Sequence, residues 1–83
     1  MPYVKQERRA DLNKVVIAMS EASLKVDGDL NYILFKYFLN NISLNYNSVK
    51  NYIGELNETI AEIRRRVLSK YEDEKILSNG DVI

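Results

Sequence analysis

"VKNYIGELNETIAEIRRRV", residues 49–67, decides the fold. Val49, Ile53, Leu56, Ile60, Ile63 and Val67 recur at alternating steps of four and three. That is the 3.5-residue repeat of a helix that packs along one apolar seam. Ser43, Asn45 and Asn47 are each candidate N-caps upstream, and Asn79-Gly80 is the stop signal downstream. The spacing predicts a helix from about Asn47 to Leu77, roughly 45 Å long at ~1.5 Å per residue. A compact chain of 83 residues has a radius of gyration of only ~12 Å. Such a helix overhangs its own domain, and an overhanging apolar seam needs a partner. Homo-oligomerisation is the direct expectation, the alternative being a kink near Ser69 that folds the end back.

Upstream, the stretch from about Leu30 to Ile42 is apolar around most of a helical circumference, with Tyr32, Phe35 and Leu39 away from Ile33, Leu34, Tyr37 and Phe38. Helices of that kind are usually buried, so this one is expected at the centre. Asp27-Gly28-Asp29 breaks the chain before it, with Gly28 suited to a left-handed C′ position and Asp29 to capping the second helix. The first helix carries Leu12, Val15, Val16, Met19, Ala22 and Val26 on one face. The fold class is therefore all-α: a single three-helix domain over residues 1–83, with a long C-terminal helix completed by homo-oligomerisation.

Composition narrows the function. Cysteine and histidine are both absent, which removes disulfides, thiolate metal sites, cysteine nucleophiles and the commonest neutral-pH base. No cofactor is expected. Twelve basic residues balance twelve acidic ones, whereas nucleic-acid binders normally show a basic excess, so nucleic acid is not an expected partner. The longest apolar run falls far short of the ~20 residues that span a bilayer, and no signal-peptide pattern opens the chain. A cytoplasmic protein is expected.

The chemistry-bearing stretch is "RRRVLSKYEDEK", Arg64 to Lys75. On a helical wheel the three arginines fan out. Arg64 and Arg66 border the seam on opposite sides, and Arg65 points away from it. Glu62 stands three and four residues before Arg65 and Arg66, the spacing of helical ion pairs. Arg64 and Arg66 border any interface formed along the seam, where facing arginines could receive phosphate or carboxylate. Glu72, Asp73 and Glu74 point to different sides and make a poor metal chelate. Lys70 pairs with Glu74 at i,i+4 in this reading, with Lys75 adding local neutralisation. Tyr71, near the seam, and Tyr3 with Lys5, in the N-terminal arm, could add stacking and charge. The expected ligand contacts are thus Arg64, Arg65, Arg66, Tyr71, Lys75, Tyr3 and Lys5.

An enzymatic alternative starts from Glu55, Glu58 and Glu62 on one helix face. Glu55-x-x-Glu58 resembles half of the Mg²⁺ site in all-α nucleotide pyrophosphohydrolases. The second half needs another carboxylate pair, and Lys70-x-x-Asp73 has lysine in the first place.

The chain also resembles a family of small, all-helical bacteriophage and prophage domains of uncharacterised function. The likeness rests on Met1-Pro2-Tyr3 with Lys5-Gln6-Glu7, on Gly28-Asp29-Leu30-Asn31-Tyr32, and on Ile53-Gly54 with Leu56. It continues in Glu62 with Arg65-Arg66-Val67, and in Tyr71 to Ile76 followed by Asn79-Gly80-Asp81-Val82. Arg64 departs from the family's aromatic and Lys70 from its proline. A proline at that point would kink the helix. The resemblance implies a phage-encoded helical oligomer in the host bacterial cytoplasm. By analogy it acts by binding rather than catalysis: counter-defence sequestration of a cyclic-nucleotide or NAD-derived signal at subunit interfaces. The alternative is a ligand-free protein that binds itself or a host protein.

Overall fold

The computed structural model describes residues 4–83. They form α1 (Gln6–Glu21), α2 (Asp29–Asn41), α3 (Tyr46–Ile63), one π-helical turn (Arg64–Leu68) and α4 (Ser69–Asn79), with no strand among the described residues. α3, the π turn and α4 run on as one helix of 34 residues. The all-α, three-helix architecture with a long C-terminal helix is thus as the periodicity predicts.

Local chemistry sets the boundaries. Of the three candidate caps, Asn45 begins α3: its extended backbone turns the side chain back, and Oδ1 accepts the Ser48 N–H at 2.9 Å. Gly80 ends α4 with a positive φ of 85°, its N–H donating to the Ile76 carbonyl at 2.8 Å. The long helix does not break near Ser69. It widens instead one turn earlier, where the Ser69 N–H donates to the Arg64 carbonyl five residues back. Lys70, with an N–H available where a proline has none, leaves the helix free to continue.

The first connection differs from the expectation. α1 ends at Glu21, and the left-handed residue after it is Ser23, φ 54°, rather than Gly28. Ala22 is its C-cap and Val26 lies outside any helix, 89 % exposed. Gly28 sits at the N-cap of α2 with φ 102°, its carbonyl accepting the Tyr32 N–H. Asp29 is already helical. Its carboxylate reaches back to accept the Lys25 N–H at 3.0 Å and so ties the connection to α2.

α2 is not a buried central helix in the single chain. No described residue is fully buried. Leu34 and Phe38 are half-buried facing Val49, Tyr52 and Leu56 of α3, the nearest thing to a core. The Phe38 and Tyr52 rings lie 5.3 Å apart, and the Tyr52 hydroxyl donates to the Leu34 carbonyl. Tyr32, Phe35, Tyr37 and Leu39 remain exposed. α2, apolar around most of its circumference, faces α3 along one side. A groove of about 290 Å³ stays open between α2 and α3, and α1 lines none of it.

The molecule is extended. Its longest dimension is 48 Å and its radius of gyration 16.7 Å, against ~12 Å for a compact chain of this length. It exposes 7671 Å², whereas a folded monomer of 9.7 kDa exposes roughly 5,100 Å². Among the described residues no helix is long and apolar enough to cross a membrane.

Candidate functional site

The π turn is where sequence and structure converge, because it consists of Arg64, Arg65, Arg66, Val67 and Leu68. A π turn spends one more residue per hydrogen-bonded step than an α turn, and such turns recur at functional sites. Here it separates an upstream helix that follows the seam from a downstream helix dominated by polar residues.

Glu62 organises the arginines. Arg65 Nη2 donates to both its carboxylate oxygens, at 2.8 and 3.0 Å, and Arg66 Nε lies 2.7 Å from Oε2. These are the i,i+3 and i,i+4 pairs that the spacing predicts. The Arg65 hydrogen bond holds the Glu62 carboxyl below its ordinary value; partial desolvation opposes this, and the charges of Arg65 and Arg66 add to the lowering. Glu62 thus engages one nitrogen of each guanidinium and offsets part of their charge. Arg64 makes no ion pair among the described residues. It is the arginine of the three that Glu62 does not engage.

The acidic run is not neutralised as the spacing suggests. No ion pair forms between Lys70 and Glu74, nor does Lys75 pair with an acid. Lys75 instead folds its ammonium over the Tyr71 ring one turn back, 5.6 Å from the centroid. A cation over an aromatic face gains from the ring quadrupole, and it loses less side-chain freedom than an exposed ion pair demands. Glu72, Asp73 and Glu74 therefore keep their charge toward solvent, and no three acidic groups among the described residues converge as a cation cage. Glu62, the third member of the Glu55–Glu58–Glu62 face, is committed to its arginines.

Of the seven predicted ligand residues, five lie on the long helix within twelve positions. Lys5 precedes α1, exposed, and no contact joins it to that stretch. Tyr3 falls outside the described residues. The grooves described between and beside α2 and α3 are lined by other residues, among them Asn41, Leu44, Val49, Tyr52 and Ile53. What the wheel could not provide is the π turn itself. The five-residue step from Ile63 to Leu68 in the apolar pattern was its one signal.

The apolar stripe beside the arginines is uncovered. Ile60, Ile63 and Val67 are all more than half exposed, as is Tyr71 one turn further on. α1 shows the same on a smaller scale at Val15, Val16 and Ile17.

The chain belongs to the family described as "Domain of unknown function (DUF6899)", whose model matches residues 1–82. No curated protein matches the chain, and no solved structure does.

Proposed function

We propose that this chain is the subunit of a small helical homo-oligomer that acts by binding and not by catalysis. The observation that carries this is the uncovered apolar surface. The chain exposes 7671 Å², some 2,500 Å² beyond the roughly 5,100 Å² of a folded monomer of its mass. Standard interfaces take about 800 Å² from each partner, and obligate homo-oligomers take more. An excess of that size, together with the exposed apolar residues Ile60, Ile63 and Val67 on the long helix, supports reading the chain as a subunit.

Within that reading, the ligand is an anionic, nucleotide-type host signal held at subunit interfaces. The groups available for it are Arg64, with no ion pair among the described residues, and the Tyr71–Lys75 pair, an aromatic face with a cation already beside it. The resemblance to phage and prophage domains supplies the setting, counter-defence in the host bacterial cytoplasm. Titration calorimetry against cyclic dinucleotides, cyclic trinucleotides and cyclic ADP-ribose isomers tests it. One member of the panel binds stoichiometrically per interface, and loss of that heat in Lys75→Ala locates it. Silence across the panel removes sequestration.

One observation favours a second reading. Arg65 and Arg66 are taken up by Glu62, which leaves a ligand fewer cations than the sequence promises. The alternative is a ligand-free interaction protein whose apolar faces bind copies of itself or a host protein. A stoichiometric host protein recovered on the immobilised oligomer, together with a silent ligand panel, selects it. Turnover of nucleotides with Mg²⁺ or Mn²⁺ would overturn both.

A further inference from the structure

The charges left unpaired on the long helix are arranged in a way that the single chain cannot use. Among the described residues Arg64 has no ion pair, and neither do Glu72, Asp73 or Glu74. Arg64 and Glu72 are eight residues apart on one helix, about 12 Å along its axis, too far to meet within the chain. Between the bands runs the exposed face of Val67 and Tyr71, which continues upstream through Ile63 and Ile60.

We propose that this stretch is a self-complementary docking surface, on which the long helix of a second copy lies antiparallel, crossing at Ser69. In that register Val67 faces Tyr71 of the second copy, and Ile60 faces Ser78. Arg64 and Arg66 lie beside the acidic run from Glu72 to Glu74. A parallel, in-register pair would set arginines against arginines and acids against acids, and like charges facing each other oppose association. Antiparallel pairing satisfies both bands twice over, once at each end of the two-fold, as an isologous interface requires. The occupant is a second copy on two grounds: the charge pattern is its own complement, and the excess exposed surface meets what a stable dimer takes from each partner.

The inference rests on the self-association reading above and sharpens it. It assigns Arg64 to the acids of the second copy and Tyr71 to the seam, and leaves Lys75 at the edge of that seam as the group open to a ligand.

The chain has no cysteine, so single cysteines report contacts cleanly. Ile60→Cys and Ser78→Cys are prepared separately, mixed, reassociated and oxidised, with size followed by light scattering and products by mass. The mixed 60–78 dimer is expected in clear excess over its statistical share, and each variant alone stays largely uncross-linked. Efficient 60–60 and 78–78 dimers overturn the antiparallel register. Association without cross-linking overturns this surface and leaves self-association standing. A chain that stays monomeric in every sample overturns both, which light scattering distinguishes from the previous case.

Discussion

Glu62 is the residue on which the arginine stretch turns. It is the described group whose ionisation clearly departs from its ordinary value, lowered chiefly by the Arg65 hydrogen bond. A carboxylate whose folded pKa is depressed stabilises the fold above its unfolded pKa, about 4.3, and that contribution is lost as pH falls through the lower folded value. Helicity followed by circular dichroism should therefore show an acid step below pH ~4 that Glu62→Gln abolishes. The effect is small, since exposed pairs are well screened. Tyr52 makes a second residue-scale test. Its hydroxyl donates to the Leu34 carbonyl across the α2–α3 contact, so Tyr52→Phe should cost about 1 kcal/mol in chemical denaturation. A variant as stable as the parent would place that bond among the dispensable ones. Neither feature was equally legible beforehand. The Glu62 pairs follow from helical spacing, whereas the Tyr52 bond joins residues 18 apart that only the α2–α3 packing brings together.

At the scale of elements, the long helix depends on its two ends and on the turn within it. Asn45 provides the cap, and Asn45→Ala should lower stability by about 1 kcal/mol with little change in the rest of the helix. The π turn sets the phase between α3 and α4. Deleting Arg65 should remove the extra residue that the π turn accommodates, restoring an α turn with the helical signal kept and the phase between α3 and α4 nearly unchanged. Tyr71 then stays on the face that Ile60 and Ile63 share, so association should be kept, whereas Tyr71→Ala should weaken it by roughly tenfold or more, the cost of losing one buried aromatic contact. Unchanged association in Tyr71→Ala would show that the interface lies elsewhere. The seam was legible because a 3.5-residue repeat over nineteen residues leaves little room for another reading. The π turn was not, because Val67 and Leu68 are adjacent and either continues an apolar stripe. α1 ended earlier than its pattern suggested for a related reason. Apolar periodicity through Ala22 and Val26 reports what could face a core, and the left-handed Ser23 stops the helix first.

For the whole molecule, the most consequential fact is the lack of any fully buried described residue in a chain that is 46 % hydrophobic. A single small domain supplies few kcal/mol from its own core, and this one has neither disulfide nor histidine metal site in its composition to supplement it. The overhang argued from the seam is present as a 48 Å molecule, and Tyr32, Phe35, Tyr37 and Leu39 of α2 are exposed in the single chain. The functional site was less legible than the fold. A wheel separates three arginines by direction, but it does not say that two converge on Glu62 or that Lys75 prefers Tyr71 to the neighbouring acids. Those choices depend on rotamers and on the widened turn. On the proposed self-association, stability depends on concentration, so the midpoint of thermal unfolding should rise with protein concentration.

Light scattering of the purified chain over a wide concentration range tests the central claim most directly. Self-association predicts a mass that is a whole multiple of 9.7 kDa at high concentration, falling toward the monomer only on dilution. A mass of 9.7 kDa throughout, with cooperative unfolding that ignores concentration, would contradict it.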